Sequence, residues 1–403
     1  MKKINFLSVS GFCCLVGGIL LLIHCGNSTL PMENETKELK KDSAKVVEKK
    51  NIYDRKFNDL AHFIAGMSSD TGGKEYADLE KKSAWINYKR VFDSSWNVLE
   101  TKRLMQMRQW AATDLADANK TSQNIFYPFS GPDFLNVITL FPKGKEYIMM
   151  GLEPVGDIAD IKSLKENDLK DYLFSIYNSL SDIFKKSYFI TRKMGKDMHS
   201  NEINGVTPIL YVFLARTGNQ VMNVKKISVN ESGAIEDYNP DAKVKSKAKG
   251  VQIEFLPSGT DSIRTLYYFS VNVEDAKLKD NPGFVKYLDN IGIVTSYVKS
   301  ASYLMHYLTF SVIRNAVLNH STYLLQDDSG IAYRFFDKKE WDFRYYGVYT
   351  APVEDFKKQY EKDLAQAYKN DSLVKPIPFK LGYHWGTRGV NLLFASKKQS
   401  PKK

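Results

Sequence analysis

Cysteine is missing from everything after residue 25: Cys13, Cys14 and Cys25 are the only three in 403 residues. That absence excludes a disulfide, a thiolate nucleophile and any Cys-based zinc or iron–sulfur site from the remaining chain. Histidine is scarce, with six residues. His306 and His320 lie on a segment that reads as helix followed by strand, so they form no local metal pair, and no metal site is expected. There is no GxSxG elbow, no HExxH, no P-loop, no GxGxxG and no EF-hand loop. A nucleotide-binding loop and a helical zinc-protease site are thereby excluded, and no cofactor is expected.

What is present begins at the N-terminus. Lys2 and Lys3 precede an uncharged apolar run, Phe6 to Ile23, which gives way abruptly to polar sequence. That is the layout of a secretory signal peptide, although the run is also long enough to remain as a spanning helix. Leu22-Ile23-His24-Cys25 resembles the lipobox of bacterial lipoproteins. His24 departs from the small residue usual before the cysteine, a departure found in the looser lipoboxes of spirochaetes. The resemblance implies that residues 1–24 are removed as a signal peptide and that Cys25 carries the lipid, a palmitate-type acyl chain included. It also implies a cell-envelope protein anchored to the membrane through its N-terminus. Gly26, standing where Asp would favour inner-membrane retention, points to the outer membrane.

The formal charge of +11 includes Lys2 and Lys3, so +9 remains once they are removed. The lysines are spread along the chain, and export argues against nucleic acid as a partner; the excess reads as a solvated surface. Residues 25–50 comprise the lipidated cysteine and a segment with many charges of both signs. Such a segment cannot bury enough apolar surface to offset its ordering entropy, and it reads as a polar tether. About 25 residues of this kind would hold the body roughly 25–30 Å from the lipid.

Residues 51–403 read as one globular body, divisible into lobes at 51–200 and 201–403. The spacing of Trp85, Tyr88, Val91, Phe92, Trp96 and Leu99 predicts core-facing helices over 82–112. Apolar residues at 169, 172, 173, 176, 180, 183 and 184 make a single stripe, which predicts an amphipathic helix with Asn167 or Asp168 as its cap. PILYVFLAR (208–216) with VMNVKKISV (221–229), and GVQIEFL (250–256) with IRTLYYFSVNV (263–273), read as two β-hairpins. Segments 130–156 and 302–331 each read as a helix-to-strand unit that ends in acidic residues. The fold class expected is α+β, with a mixed or antiparallel central sheet flanked by amphipathic helices.

Candidate chemistry gathers where apolar strands end. Tyr323-Leu324-Leu325-Gln326 runs into Asp327-Asp328-Ser329-Gly330, and ligands collect beyond the C-terminal ends of strands in sheets with crossover connections. Asp327 and Asp328, with Asp133 and His384, are therefore the catalytic candidates, and Glu153 is a similar strand-end acid. Ser130-Gly131-Pro132-Asp133 can cap and start a helix, whose exposed N–H groups attract anions. Ser130, Arg334 and Arg388 are the candidate ligand-binding residues, the two arginines being expected to face the carboxylates.

YPFSGPDF…LFP…Y…GLEPVG (127–156), QDDSG…YR (326–334) and GYHWGTRGVNLLFA (382–395) resemble blocks, in this order, of an uncharacterised family of exported bacterial proteins. The likeness covers about residues 60–396 and implies a shared fold without a mechanism. The expectation is therefore a membrane-anchored envelope lipoprotein that binds a small-molecule ligand or an envelope protein. The alternative is an envelope hydrolase using the strand-end carboxylates, and whether the protein is an enzyme stays open at this stage.

Overall fold

Strand β1 (Asn124–Tyr127) buries both its faces, Ile125 and Tyr127 into one apolar cluster and Phe126 into another. β2 (Glu146–Gly151) repeats the alternation, with Tyr147 and Met149 on the first side and Ile148 and Met150 on the second. Side chains alternate across a strand, so such a pattern requires helices over both faces of the sheet. In the computed structural model, which describes residues 55–69, 73–120, 123–190, 193, 203–241 and 248–398, both faces are indeed covered. The fold is α+β with a mixed central sheet.

The remaining strands are β3 (Asn219–Val229), β4 (Ile235–Asp237), β5 (Lys249–Pro257), β6 (Arg264–Ser270), β7 (Val294–Val298), β8 (Ser321–Gln326), β9 (Trp341–Gly347) and β10 (Asn391–Lys397). Their spatial order is β4-β3-β5-β6-β2-β1-β7-β8-β10-β9. The run β6-β2-β1-β7-β8 is parallel throughout. Antiparallel pairs extend it at both edges. β1 and β2, the strands before residue 200, lie side by side in the middle of this one sheet between strands from after it, and Ile52–Lys403 forms a single compact unit. The expected signal peptide, tether and Cys25 lie outside the described residues.

Helices Arg55–Ile64, Ser83–Leu99, Met105–Asp114, Glu166–Ser179 and Thr207–Arg216 pack on one face. Pro282–Asp289, Ser311–His320 and Lys362–Asn370 cover the other. The aromatic helix expected over 82–112 is present, but it is interrupted by a π-helical turn, Glu100–Leu104. The stripe at 169–184 forms Glu166–Ser179 and then Ser181–Lys186, entered through Lys165 and without a side-chain cap.

The first of the two expected hairpins is corrected: 208–216 is not a strand but part of the helix Thr207–Arg216. Every residue from Thr207 to Ala215 is buried. Full burial erases the 3.6-residue periodicity, so a buried helix carries the same continuous apolar signal as a buried strand. The second hairpin is present as β5–β6, and 221–229 pairs with β5 instead of with its predecessor in sequence. Both helix-to-strand units are found, Phe134–Leu140 leading into β2 and Ser311–His320 into β8. Among the described residues, no helix is long and apolar enough to cross a membrane.

Candidate functional site

The parallel strands deliver their C-terminal ends side by side, and the segments leaving β1, β2, β7 and β8 meet there. Five non-glycine residues among those described have positive φ: Phe129 (59°), Ser187 (73°), Ser300 (53°), Ser302 (52°) and Tyr303 (56°). Phe129 follows β1, and Ser300, Ser302 and Tyr303 follow β7. Ser187 closes the helix Ser181–Lys186 and touches the same place through its carbonyl oxygen and hydroxyl. Left-handed backbone costs about 1–2 kcal/mol for a residue with a side chain, and such strain collects at functional sites where surrounding bonds over-determine it.

The over-determination is visible bond by bond. Asp327 accepts from the Ser300 N–H at 3.0 Å and from the Ser329 N–H and hydroxyl at 3.0 and 2.5 Å. The Ala301 N–H donates to the Ser329 hydroxyl. Tyr303 O–H donates to Asp328 Oδ2 at 2.5 Å, and Asn391 Nδ2 donates to Asp328 Oδ1 at 3.1 Å. His384 Nε2 lies 3.3 Å from Asp328 Oδ1. Gly382 is required beside this cluster, because a Cβ there would stand 2.5 Å from Asp327 Oδ2. Asp327, Asp328 and His384 thus converge, and each bonds the scaffold that holds the 299–303 segment in its strained course.

Asp133 caps the helix Phe134–Leu140, its Oδ1 accepting from the Asn136 N–H at 3.2 Å. Its other oxygen takes Tyr127 O–H at 3.0 Å and forms an ion pair with Lys299 at 2.9 Å, both charged side chains being almost wholly buried. Lys299 Nζ also donates to the Ser187 carbonyl at 2.6 Å. Ser130 continues the β1–β2 ladder, exchanging hydroxyl and backbone hydrogen bonds with Met150. The two predicted arginines lie elsewhere. Arg334 donates to the His306 carbonyl and stacks on Phe335, while Arg388 is exposed in a different groove.

Two adjoining compartments open at this edge. A polar one of about 100 Å³ is lined by Ser130, Asp133, Glu153, Lys299 and Ser300. An apolar one of about 260 Å³ is lined by Met150, Val271, Val273 and Phe310, and the two share Phe129, Gly151, Leu152 and Leu304. Asp327, Asp328 and His384 line neither. Ser300 Oγ is buried and has no hydrogen-bond partner among the described residues.

Burial raises the carboxyl of Glu153, against weaker opposition from backbone and Tyr268 hydrogen bonds. Asp327 is raised by burial and by the adjacent charge of Asp328. Burial lowers His384, but the hydrogen bond to Asp328 and the charges of both aspartates outweigh it, so the imidazole is raised on balance. A second buried group lies behind Tyr303, where Glu361 is raised to about 7, chiefly by burial, and His306 is lowered to about 4 for the same reason. Their nitrogen–oxygen separation of 3.8 Å is therefore not an ion pair between those values, since both are then neutral.

Lys299, Ser300, Tyr303, Ser187 and Asn391 were not found from sequence. Lys299 carries a usable signal, being a charged residue directly after five fully buried strand residues, as Asp327 follows Leu324-Leu325-Gln326. No group of three or more potential metal-ligating side chains occurs among the described residues. Comparison with protein-family models, with curated proteins and with solved structures finds no match to this chain.

Proposed function

We propose that the protein is a cell-envelope lipoprotein, anchored through Cys25, whose body binds a small ligand made of an uncharged polar head and an apolar arm. The observation that carries this reading is the pair of adjoining compartments at the strand ends. In the polar one, Lys299 and Asp133 neutralise each other, and burial favours the uncharged form of Glu153. An added ion would find no net counter-charge there, whereas a neutral hydrogen-bonding head can engage the unpartnered Ser300 hydroxyl. The neighbouring apolar compartment suits a hydrocarbon arm.

Calorimetric titration with n-alkanamides from hexanamide to decanamide tests this. Each methylene entering the apolar compartment contributes about 0.8 kcal/mol, so affinity is expected to rise about fourfold per carbon. The matching carboxylates and alkylammonium ions bind more weakly. Leu152→Asp, at a 59 % exposed position shared by both compartments, weakens the amides without unfolding the protein. Affinity independent of chain length, or carboxylates equal to amides, overturns the reading. For the anchor, Cys25→Ser abolishes incorporation of labelled palmitate and membrane pelleting; retention of either contradicts it. Outer-membrane location is supported by Gly26 after the cysteine.

A second reading, hydrolysis, is favoured by the free Ser300 Oγ beside Lys299. No base lies within hydrogen-bond reach of that hydroxyl, since Asp327 is bonded to the Ser300 N–H and Lys299 to Asp133. Turnover of chromogenic esters, lost in Ser300→Ala, would favour hydrolysis over binding.

A further inference from the structure

A further cavity lies away from the strand-end cleft and shares no residue with it. This groove, of about 790 Å³, runs between the π-helical turn Glu100–Leu104 and the segments 374–380 and 385–390. Its walls contribute Lys102, Arg103, Lys185, Lys375, Lys380 and Arg388, and no aspartate or glutamate. Lys375 is paired with Asp114, and Lys380 donates to the Thr387 carbonyl. Lys102, Lys185 and Arg388 are exposed and have no acidic partner among the described residues. Between these charges the surface is apolar and aromatic, with Val98, Phe184, Ile377, Phe379 and Trp385.

Arg103 distinguishes this groove from an ordinary basic surface. It is 7 % exposed, its guanidinium donates to the Ile183 carbonyl, and its Nε has no hydrogen-bond partner among the described residues. The acidic charge that acts on it, Asp133, is already paired with Lys299. A buried cation with one carbonyl contact is unfavourable in isolation, and burial pulls this guanidinium down to about 10. The π-turn that carries Arg103 is a local departure from α-helix of the kind found at functional sites. An anionic group in the groove supplies what Arg103 lacks, and guanidinium matches oxyanion geometry.

We infer that this groove is a second binding site, for a small molecule bearing two or more negative charges on an apolar body. The two sites divide by charge: in the polar compartment of the strand-end cleft Lys299 pairs with Asp133, whereas the groove carries cationic side chains and no aspartate or glutamate.

Isothermal titration of the whole protein with 1,12-dodecanedioate, its dimethyl ester and 1,12-diaminododecane holds the chain constant while varying the charge. The dianion is expected to bind at least about tenfold more tightly than the ester, with charge-assisted contacts as the cause. That advantage shrinks as salt rises from about 0.01 M to 0.1 M, where the screening length falls from about 30 to 10 Å. Arg103→Gln weakens the dianion; because a buried change can disturb folding, the exposed triple variant Lys102→Gln, Lys185→Gln, Arg388→Gln is the decisive one, and it cuts the dianion's advantage over the ester severalfold. A control triple, Lys277→Gln, Lys279→Gln, Lys362→Gln, removes the same net charge from outside the groove and leaves affinity unchanged. Equal binding of dianion and ester, or equal losses in the two triple variants, overturns the proposal. Leu152→Asp, which lies in the other site, separates failure here from failure there.

Discussion

Replacing Lys299 by methionine isolates the electrostatic core of the strand-end site. Lys299 Nζ has two partners, Asp133 Oδ2 at 2.9 Å and the Ser187 carbonyl at 2.6 Å, and the ion-paired side chains are 1 % and 2 % exposed. Methionine keeps the apolar stem but leaves Asp133 with only neutral donors, from Tyr127 and Asn136. Removing one member of a buried pair costs about 3–5 kcal/mol, because the other charge stays behind uncompensated. Asp133→Asn is expected to cost a similar amount, since Lys299 then keeps only the Ser187 carbonyl. The double variant removes both charges of this pair, so its loss falls well short of the sum of the two single losses. Urea denaturation at pH 7, with m-values compared across the four proteins, measures each quantity. A Lys299→Met loss under about 1 kcal/mol, the range of exposed pairs, or strict additivity in the double variant, would refute the reasoning.

Glu361 gives a pH prediction. Its carboxyl is raised from 4.5 to about 7 by burial, so the folded state holds a proton that the unfolded state has released. Stability from this group is present below about 4.5 and is lost as pH rises through about 7. Glu361→Gln mimics the neutral acid and is expected to be more stable than the parent at pH 8, by up to about 3 kcal/mol; equal pH–stability curves for the two proteins contradict this. Gly151→Ala places a Cβ 2.5 Å from Glu153 Oε2 and 2.9 Å from Gly131 Cα, and thermal unfolding should report a loss of about 1–3 kcal/mol. Ser300→Gly removes both a left-handed side chain and an unpartnered hydroxyl, and it is expected to stabilise the protein by about 1 kcal/mol.

Strand ends were legible because fully buried strands read as unbroken apolar runs, and polar residues mark abruptly where they stop. That marks Asp327, Asp328 and Glu153 as strand-end acids in the sequence, whereas Ser130 reads there as the cap and start of a helix. What the sequence did not carry was the division of labour among them. Asp327 and Asp328 look catalytic as adjacent carboxylates, yet their oxygens bond Ser300, Ser329, Tyr303 and Asn391. Lys299 and Ser300, which line the polar compartment, sit in an unremarked SYVKSAS run, and the left-handed backbone of Ser300 leaves no trace in composition. The 207–216 helix was hidden for the opposite reason, being apolar on every side. Arg388 reads as facing the carboxylates because it sits in a Gly- and aromatic-rich loop; that loop turns His384 inward and leaves Arg388 in the cationic groove.

The central claim is that the strand-end cleft is held open, at a cost in stability, for a neutral ligand that bonds Ser300. Its most direct test is calorimetric titration of n-octanamide into the parent and into Ser300→Gly, with the unfolding midpoint of each recorded alongside. The account predicts that the variant is the more stable protein and the weaker binder. Unchanged affinity in Ser300→Gly, or no binding to the parent at all, would contradict it.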